Sequence, residues 1–244
     1  MHPFGKNKLY AYWWKLSLRT QALNDMAFLQ AAAPSITHQN LQVTLNGFLD
    51  ELKNFTELRE TITTYQKVIR SSFDDFILGP QIWFPLFYAI LRLKKPEIVI
   101  ETGCCTGTTT SLILYALQQN QRGHLYSIDM RFPDDWLSTG QLETGFLIPE
   151  NLKSRWSLIL GDTKVELPKL LATLGKVDLF YHDADHSYVY QMWKYLTAWP
   201  YIPVGGVLAS DDIRHNTSFF DFGRQVPSKP LITQRGTNFG VLVK

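Results

Sequence analysis

The apolar positions of the chain change rhythm near Pro96. Upstream, Phe48, Leu49, Leu52, Phe55, Leu58, Ile62, Tyr65 and Ile69 fall mainly three and four residues apart, on one face of a helix. The spacing predicts one long helix over Leu45–Ile69, and a less regular pattern predicts another over Leu9–Ala33. A further helix packs Ile82, Trp83, Leu86, Phe87 and Ile90. Downstream, short apolar runs alternate with helical stretches: Ile98–Glu101, Thr108–Gln119, His124–Asp129, Trp156–Leu160, Val165–Leu174, Val177–His182, Tyr188–Trp199 and Gly206–Ser210. That alternation predicts a parallel sheet with right-handed crossovers. The ending, KPLITQRGTNFGVLVK, holds two strand-like runs around a glycine-bearing turn and predicts an antiparallel hairpin. The expected organisation is an N-terminal helical extension, residues 1–80, followed by an α/β domain, residues 81–244.

Composition narrows the function classes. A net charge of +2 gives no global bias towards nucleic acid or an anionic membrane. No apolar run approaches the roughly 18 residues that span a bilayer. The N-terminal MHPFGKNKLYAYWWK lacks the apolar core and cleavage site of a signal peptide, so a cytoplasmic location is expected. The two cysteines are adjacent, which disfavours a disulfide between them.

Both cysteines fall in VIETGCCTGTTT, residues 99–110, the first strand-to-helix turn of the sheet. Ligands of open parallel sheets bind beyond the carboxyl ends of the strands, beside such a turn. Gly103 and Gly107 permit a tight turn and close approach, and the helix opening at Thr108 offers free N–H groups. Small residues such as Cys105 keep the approach open. The spacing is E-x-G-x-x-x-G, not the G-x-G-x-x-G of a dinucleotide turn. Glu101 at the strand end would repel a pyrophosphate and attract an ammonium, which favours S-adenosylmethionine over NAD. Asp129, ending the second strand in LYSIDM, suits a ribose diol; a helix cap or a solvated loop acid is its other reading. Asp162, in LILGDTKVELPKLL, either reaches the adenine amino group or simply caps its helix.

The fourth strand ends in DLFYHDADHSY and the fifth in GGVLASDDIRHN. They gather His182, Asp183, Asp185, His186, Asp211, Asp212, His215 and Asn216 on one edge. Crowded carboxylates repel unless something positive sits among them, and oxygen-rich sites suit Mg²⁺, Mn²⁺ or Ca²⁺. Asp183, Asp211 and Asp212 are the expected metal ligands; caps and hydrogen-bonded loop acids are the alternative. His186 is the preferred base for an acceptor hydroxyl, with His182 and His215 behind it. Strand alternation would equally bury His182 in the sheet packing.

From about Trp83 onward, roughly two-thirds of the chain resembles a class I S-adenosylmethionine-dependent methyltransferase. The resemblance rests on VIETGCCTGTTT, LYSIDM, LILGDTKVELPKLL, DLFYHDADHSY and PVGGVLASDDI occurring in that order. DADHSY resembles the branch of small-molecule O-methyltransferases and cephalosporin-hydroxylase-like proteins, and is similar to the cation-dependent catechol and caffeoyl-CoA enzymes. The resemblance implies a Rossmann-like, mainly parallel seven-stranded sheet whose last hairpin is inserted at one edge. It implies cofactor contacts from Glu101, Gly103, Cys105, Gly107, Thr108, Asp129, Asp162, Asp183 and His186. It also implies Asp183 and His186 as catalytic groups, and a divalent cation, Mg²⁺ foremost, on Asp183, Asp211 and Asp212. Asp212 departs from the asparagine of the cation-dependent enzymes.

The expected reaction is O-methylation of a small-molecule acceptor. A binding protein that keeps the cofactor fold without catalysis is the alternative. No basic groove or Asn-Pro-Pro-Tyr-type run suggests a nucleic acid substrate. The N-terminal helices would cover the acceptor or form a homodimer contact, and the loop RFPDDWLSTGQLETGFLIPENLK reads as a lid.

Overall fold

A computed structural model describes residues 29–30, 34, 36–65, 81, 83–130, 142–228, 230–232 and 238–244. The expected Leu9–Ala33 helix lies almost wholly outside these residues. Among them the elements run α1 (His38–Lys53), α2 (Thr56–Tyr65), α3 (Phe84–Lys94), β1 (Ile98–Thr102), α4 (Thr108–Gln119) and β2 (His124–Asp129). A 3₁₀ turn (Glu150–Arg155) leads into β3 (Trp156–Leu160), then α5 (Thr163–Leu174), β4 (Leu179–His182), α6 (Tyr188–Ala198) and β5 (Val207–Ser210). The chain ends with α7 (Ser218–Gln225), β6 (Leu231–Ile232) and β7 (Gly240–Val243).

The strands form one sheet in the order β3-β2-β1-β4-β5-β7-β6. Pairs from β3 to β5 are parallel, and β7 runs antiparallel to both β5 and β6. The chain order reverses between β1 and β4, so a crevice opens beyond their carboxyl ends.

Strand alternation sorts side chains onto two faces. Val99, Leu179, Tyr181, Val207 and Ala209 join the core under α1–α4. Ile100, Phe180 and Leu208 join the core under α5–α7. By the same alternation Glu101 and Asp183 belong to the first face, and Thr102 and His182 to the second.

The long helix expected over Leu45–Ile69 is two helices, broken at Asn54 and Phe55, and its last residues lie outside the described ones. The Asn54 amide closes α1 onto the Asp50, Glu51 and Leu52 carbonyls. The break turns Phe55 inward, where its ring stacks on Tyr115 at 4.0 Å and 2°. Arg92 of α3 grips Glu51 through Nε and one terminal nitrogen at 2.8 and 2.9 Å, while the Tyr88 hydroxyl donates to the same carboxylate at 2.8 Å. α1 and α2 thus share the core of the α/β domain.

Candidate active site

The turn after β1 is built around two left-handed glycines. Gly103 has φ +94°, and a Cβ there would sit 1.8 Å from the Asp183 carbonyl oxygen, so only glycine lets β1 and β4 approach at the crevice. Gly107, φ +92°, caps α4. A Cβ on it would meet Ile148 at 2.7 Å and Gly145 at 3.0 Å. The neighbouring segment is fastened here: the Gly145 amide donates to the Cys105 carbonyl and the Leu147 amide to that of Thr106, both at 2.8 Å. Leu147 and Ile148 are buried. Residues 142–148 of the expected lid are therefore packed wall, while residues 131–141 lie outside the described ones.

Glu101 is fully buried at the end of β1. Its Oε2 accepts from the Ser127 hydroxyl at 2.6 Å and the Thr110 hydroxyl at 2.9 Å, and Trp156 Nε1 donates to Ser127 behind it at 2.9 Å. Its Oε1 is buried with no partner among the described residues. Burial pushes the carboxyl up to about 8, against the pull of the two hydroxyls. A buried carboxyl with one oxygen unserved suits the ammonium of an amino-acid ligand. The sequence pointed to Glu101 but not to Ser127, Thr110 and Trp156, which lie 26, 9 and 55 positions away and meet it only through folding.

Asp129 Oδ2 accepts from the Cys105 amide at 2.6 Å and Oδ1 from the Met130 amide at 2.7 Å. It braces the turn, with Cys105 at φ +50°, while a carboxylate's remaining lone pairs stay open to a diol. Asp162 is exposed and caps α5, accepting from the Lys164 amide at 2.9 Å. Thr108 is buried, its hydroxyl 3.1 Å from that of Thr106. Burial, with the Asp129 charge, pushes the Cys105 thiol up to about 12, so it is a wall and not a nucleophile.

Beyond β4 the side chains divide. His182 is fully buried on the α6 face, with Nδ1 3.2 Å from the Thr102 hydroxyl and its ring against Tyr195 at 5.7 Å. Burial holds its pKa well below the usual value. It is a packing residue, as strand alternation allowed. Asp183 faces the other side, accepting from the Tyr181 hydroxyl at 3.0 Å. Burial and the neighbouring Asp211 push its pKa well up. Asp211 rises to about 7 through burial, with the Asp212 charge adding to it and a hydrogen bond from Trp83 opposing it. His186 is half-buried; its Nε2 lies 3.5 Å from Asp212 and 3.8 Å from Asp183. Burial lowers its pKa, which keeps the imidazole neutral near pH 7. Asn216 Nδ2 pins the His186 carbonyl at 2.6 Å, and exposed His215 stacks obliquely with its ring centroid 6.0 Å from that of His186.

The expected metal ligands are not assembled as a set. Among the described residues no group of three or more His, Cys, Asp or Glu is placed to hold an ion. Asp183 is engaged by Tyr181 and Asp211 by Trp83, and Asp212, at φ +50°, accepts from Asn238 at 3.1 Å. In this arrangement the raised pKa values of Asp183 and Asp211 and the imidazole of His186 ease the crowding of the carboxyls. Sequence reasoning also missed Lys194, a buried lysine of α6 whose charge reaches Asp185, Asp129, Asp162 and Asp183.

Comparison with known proteins agrees with this fold. Residues 100–213 match a family model described as a methyltransferase domain. No curated protein matches. Solved structures do. A methyltransferase of Podospora anserina bound to SAH aligns with TM-score 0.55 at 13% identity, over 77% of this chain and 87% of that one. An O-methyltransferase of Bacillus cereus in complex with SAH gives 0.54 at 15% identity, over 78% and 91%. The O-methyltransferase TomG of Streptomyces achromogenes, involved in tomaymycin synthesis and solved with SAM, gives 0.55 at 14%, over 76% and 87%. These likenesses are likenesses of fold, and the family match lies on the strands and turns that build the crevice. Residues 100–213, the stretch from β1 to just past β5, thus resemble a methyltransferase domain, and the sheet shares its fold with methyltransferases solved with SAM or SAH.

Proposed function

We propose that the protein transfers the methyl group of S-adenosylmethionine to a hydroxyl oxygen of a small-molecule acceptor. The observation that carries the cofactor half is the sealed Glu101 carboxyl with its unserved Oε1. It would receive the cofactor's ammonium, while Asp129 offers its free lone pairs to the ribose. The cofactor supplies an electrophilic methyl on sulfur. In the transfer the C–S bond breaks with its electron pair returning to sulfur, an O–C bond forms, and the acceptor's proton leaves.

The chain's own part is positioning and proton removal. His186 is neutral near pH 7, lies beyond the end of β4 and has Nε2 3.5 Å from Asp212, whose charge favours its protonated form. Asp183 and Tyr181 form the adjoining wall with Trp83 and Phe239, whose rings stack at 4.6 Å. This arrangement supports a proton acceptor that needs no divalent cation. The O-methyltransferase names of the structural relatives agree with oxygen as the acceptor atom.

Calorimetry with S-adenosylmethionine and its demethylated product tests the first half. A mass-spectrometric methylation screen over phenols, catechols and aliphatic alcohols tests the second. Absence of cofactor binding would overturn the reading outright; binding with no product across the panel would overturn methyl transfer to oxygen.

A further inference from the structure

Lysine is rarely buried without a partner, because its ammonium loses hydration that nothing replaces. Lys194, in the second turn of α6, is 1% exposed. Among the described residues its ammonium donates no hydrogen bond and makes no ion pair. The ring of Tyr190 lies beside it, 5.7 Å from Nζ to the centroid, and Lys164 Nζ lies over the same ring at 4.2 Å. The charge is felt by Asp185, Asp129, Asp162 and Asp183, and by His182 and His186. Through Tyr190 its ammonium lies next to Lys164, two residues beyond Asp162 at the start of α5 and hence on the side of the sheet where β3 ends. Burial draws its pKa down to about 8, and the surrounding carboxylates oppose that fall. None of the groups that the proposed reaction uses accounts for it.

We propose that Lys194 is a further cofactor-binding residue, its ammonium donating a hydrogen bond to an acceptor atom of the adenosyl group. The inference rests on the methyltransferase reading and deepens it. Asp129 and Asp162 flank the nucleoside position and can only accept hydrogen bonds when ionised, so they serve the ribose hydroxyls and an exocyclic amine. The ring nitrogens of adenine and the ribose ring oxygen are acceptors and need a donor. An ammonium brings three donors and no acceptor, and Lys194 is a buried cation whose charge is felt at both of those acids. The fold conceals this residue from a motif search, because it lies eight positions beyond His186 on a helix whose pattern reads as amphipathic packing.

The test compares wild type, Lys194→Met and Lys194→Gln in the full chain, with S-adenosylmethionine, S-adenosylhomocysteine and adenosine as ligands in calorimetry. The three share the adenosyl group; the second lacks the sulfonium charge and the third lacks the amino acid. A direct contact predicts that Lys194→Met weakens all three by a similar factor of roughly ten, the size of a hydrogen bond to a charged donor. Lys194→Gln, which keeps a donor, should lose less. Circular-dichroism melting checks that each variant is folded, and glutamine serves if methionine is not tolerated. Unchanged affinity for adenosine overturns the inference, and so does a change confined to the charged sulfonium ligand, which would mark a through-space effect. Wild-type protein that binds none of the three would instead remove the cofactor reading itself.

Discussion

Glu101 offers a perturbation whose size can be worked out. The free protein holds this carboxyl in a sealed site with a pKa of about 8, against a usual value of 4.5. At pH 7 about nine molecules in ten therefore carry the proton. An ammonium placed against Oε1 lowers such a pKa by about 1–3 units. Cofactor binding at pH 7 should then release between about 0.4 and 0.9 proton per site. Because protons leave on binding, affinity should rise several-fold between about pH 6 and pH 7.

The same shift acts on stability. The folded chain keeps a proton that the unfolded chain releases above about pH 4.5, so this stabilising contribution is full below that pH. It is lost as pH rises towards 8, by up to roughly 5 kcal/mol. Glu101→Gln keeps an acceptor for Ser127 and Thr110 and cannot titrate. Its melting temperature should lose less than that of wild type between pH 5 and 8. It should bind the cofactor roughly 10- to 150-fold more weakly, since a charge-assisted hydrogen bond is gone. Titration calorimetry in two buffers of different ionisation enthalpy reads the proton release directly. Equal heats in both buffers, with equal affinity in the variant, would refute the placing of the ammonium on Glu101.

Turnover, once an acceptor is found, should be unchanged by EDTA and unstimulated by Mg²⁺ or Mn²⁺ if His186 alone takes the proton, as proposed; recovery of a chelated enzyme only on adding metal would contradict this. His186→Ala should lower kcat by about 100-fold or more while leaving cofactor affinity within a few-fold, measured by steady-state kinetics beside calorimetry. Phe55→Ala removes the ring stacked on Tyr115 at the α1–α2 break and should cost about 3–5 kcal/mol, read as a lower midpoint in urea; a midpoint equal to wild type would show that the two helices are not fastened there.

The alternation of apolar runs is enough to specify a parallel sheet, because each buried strand and each packed helix must repeat its own period wherever it occurs. The glycine turn and Glu101 were equally legible, since a strand, a carboxylate and two glycines at fixed spacing are local facts. The break at Asn54 was not, because the same three-and-four spacing continues across it; only the pocket beside Tyr115 makes it favourable to turn Phe55 inward. Nor was the fate of the acids. Sequence brings Asp183, Asp211 and Asp212 to adjacent strand ends. Whether such carboxyls bind an ion, share protons or accept from a tyrosine depends on oxygen positions to within an ångström. The partners that decide it, Tyr181 apart, come from distant parts of the chain. Lys194 shows the same division: its chemistry is written in one letter, but its burial exists only once α6 is laid across the sheet.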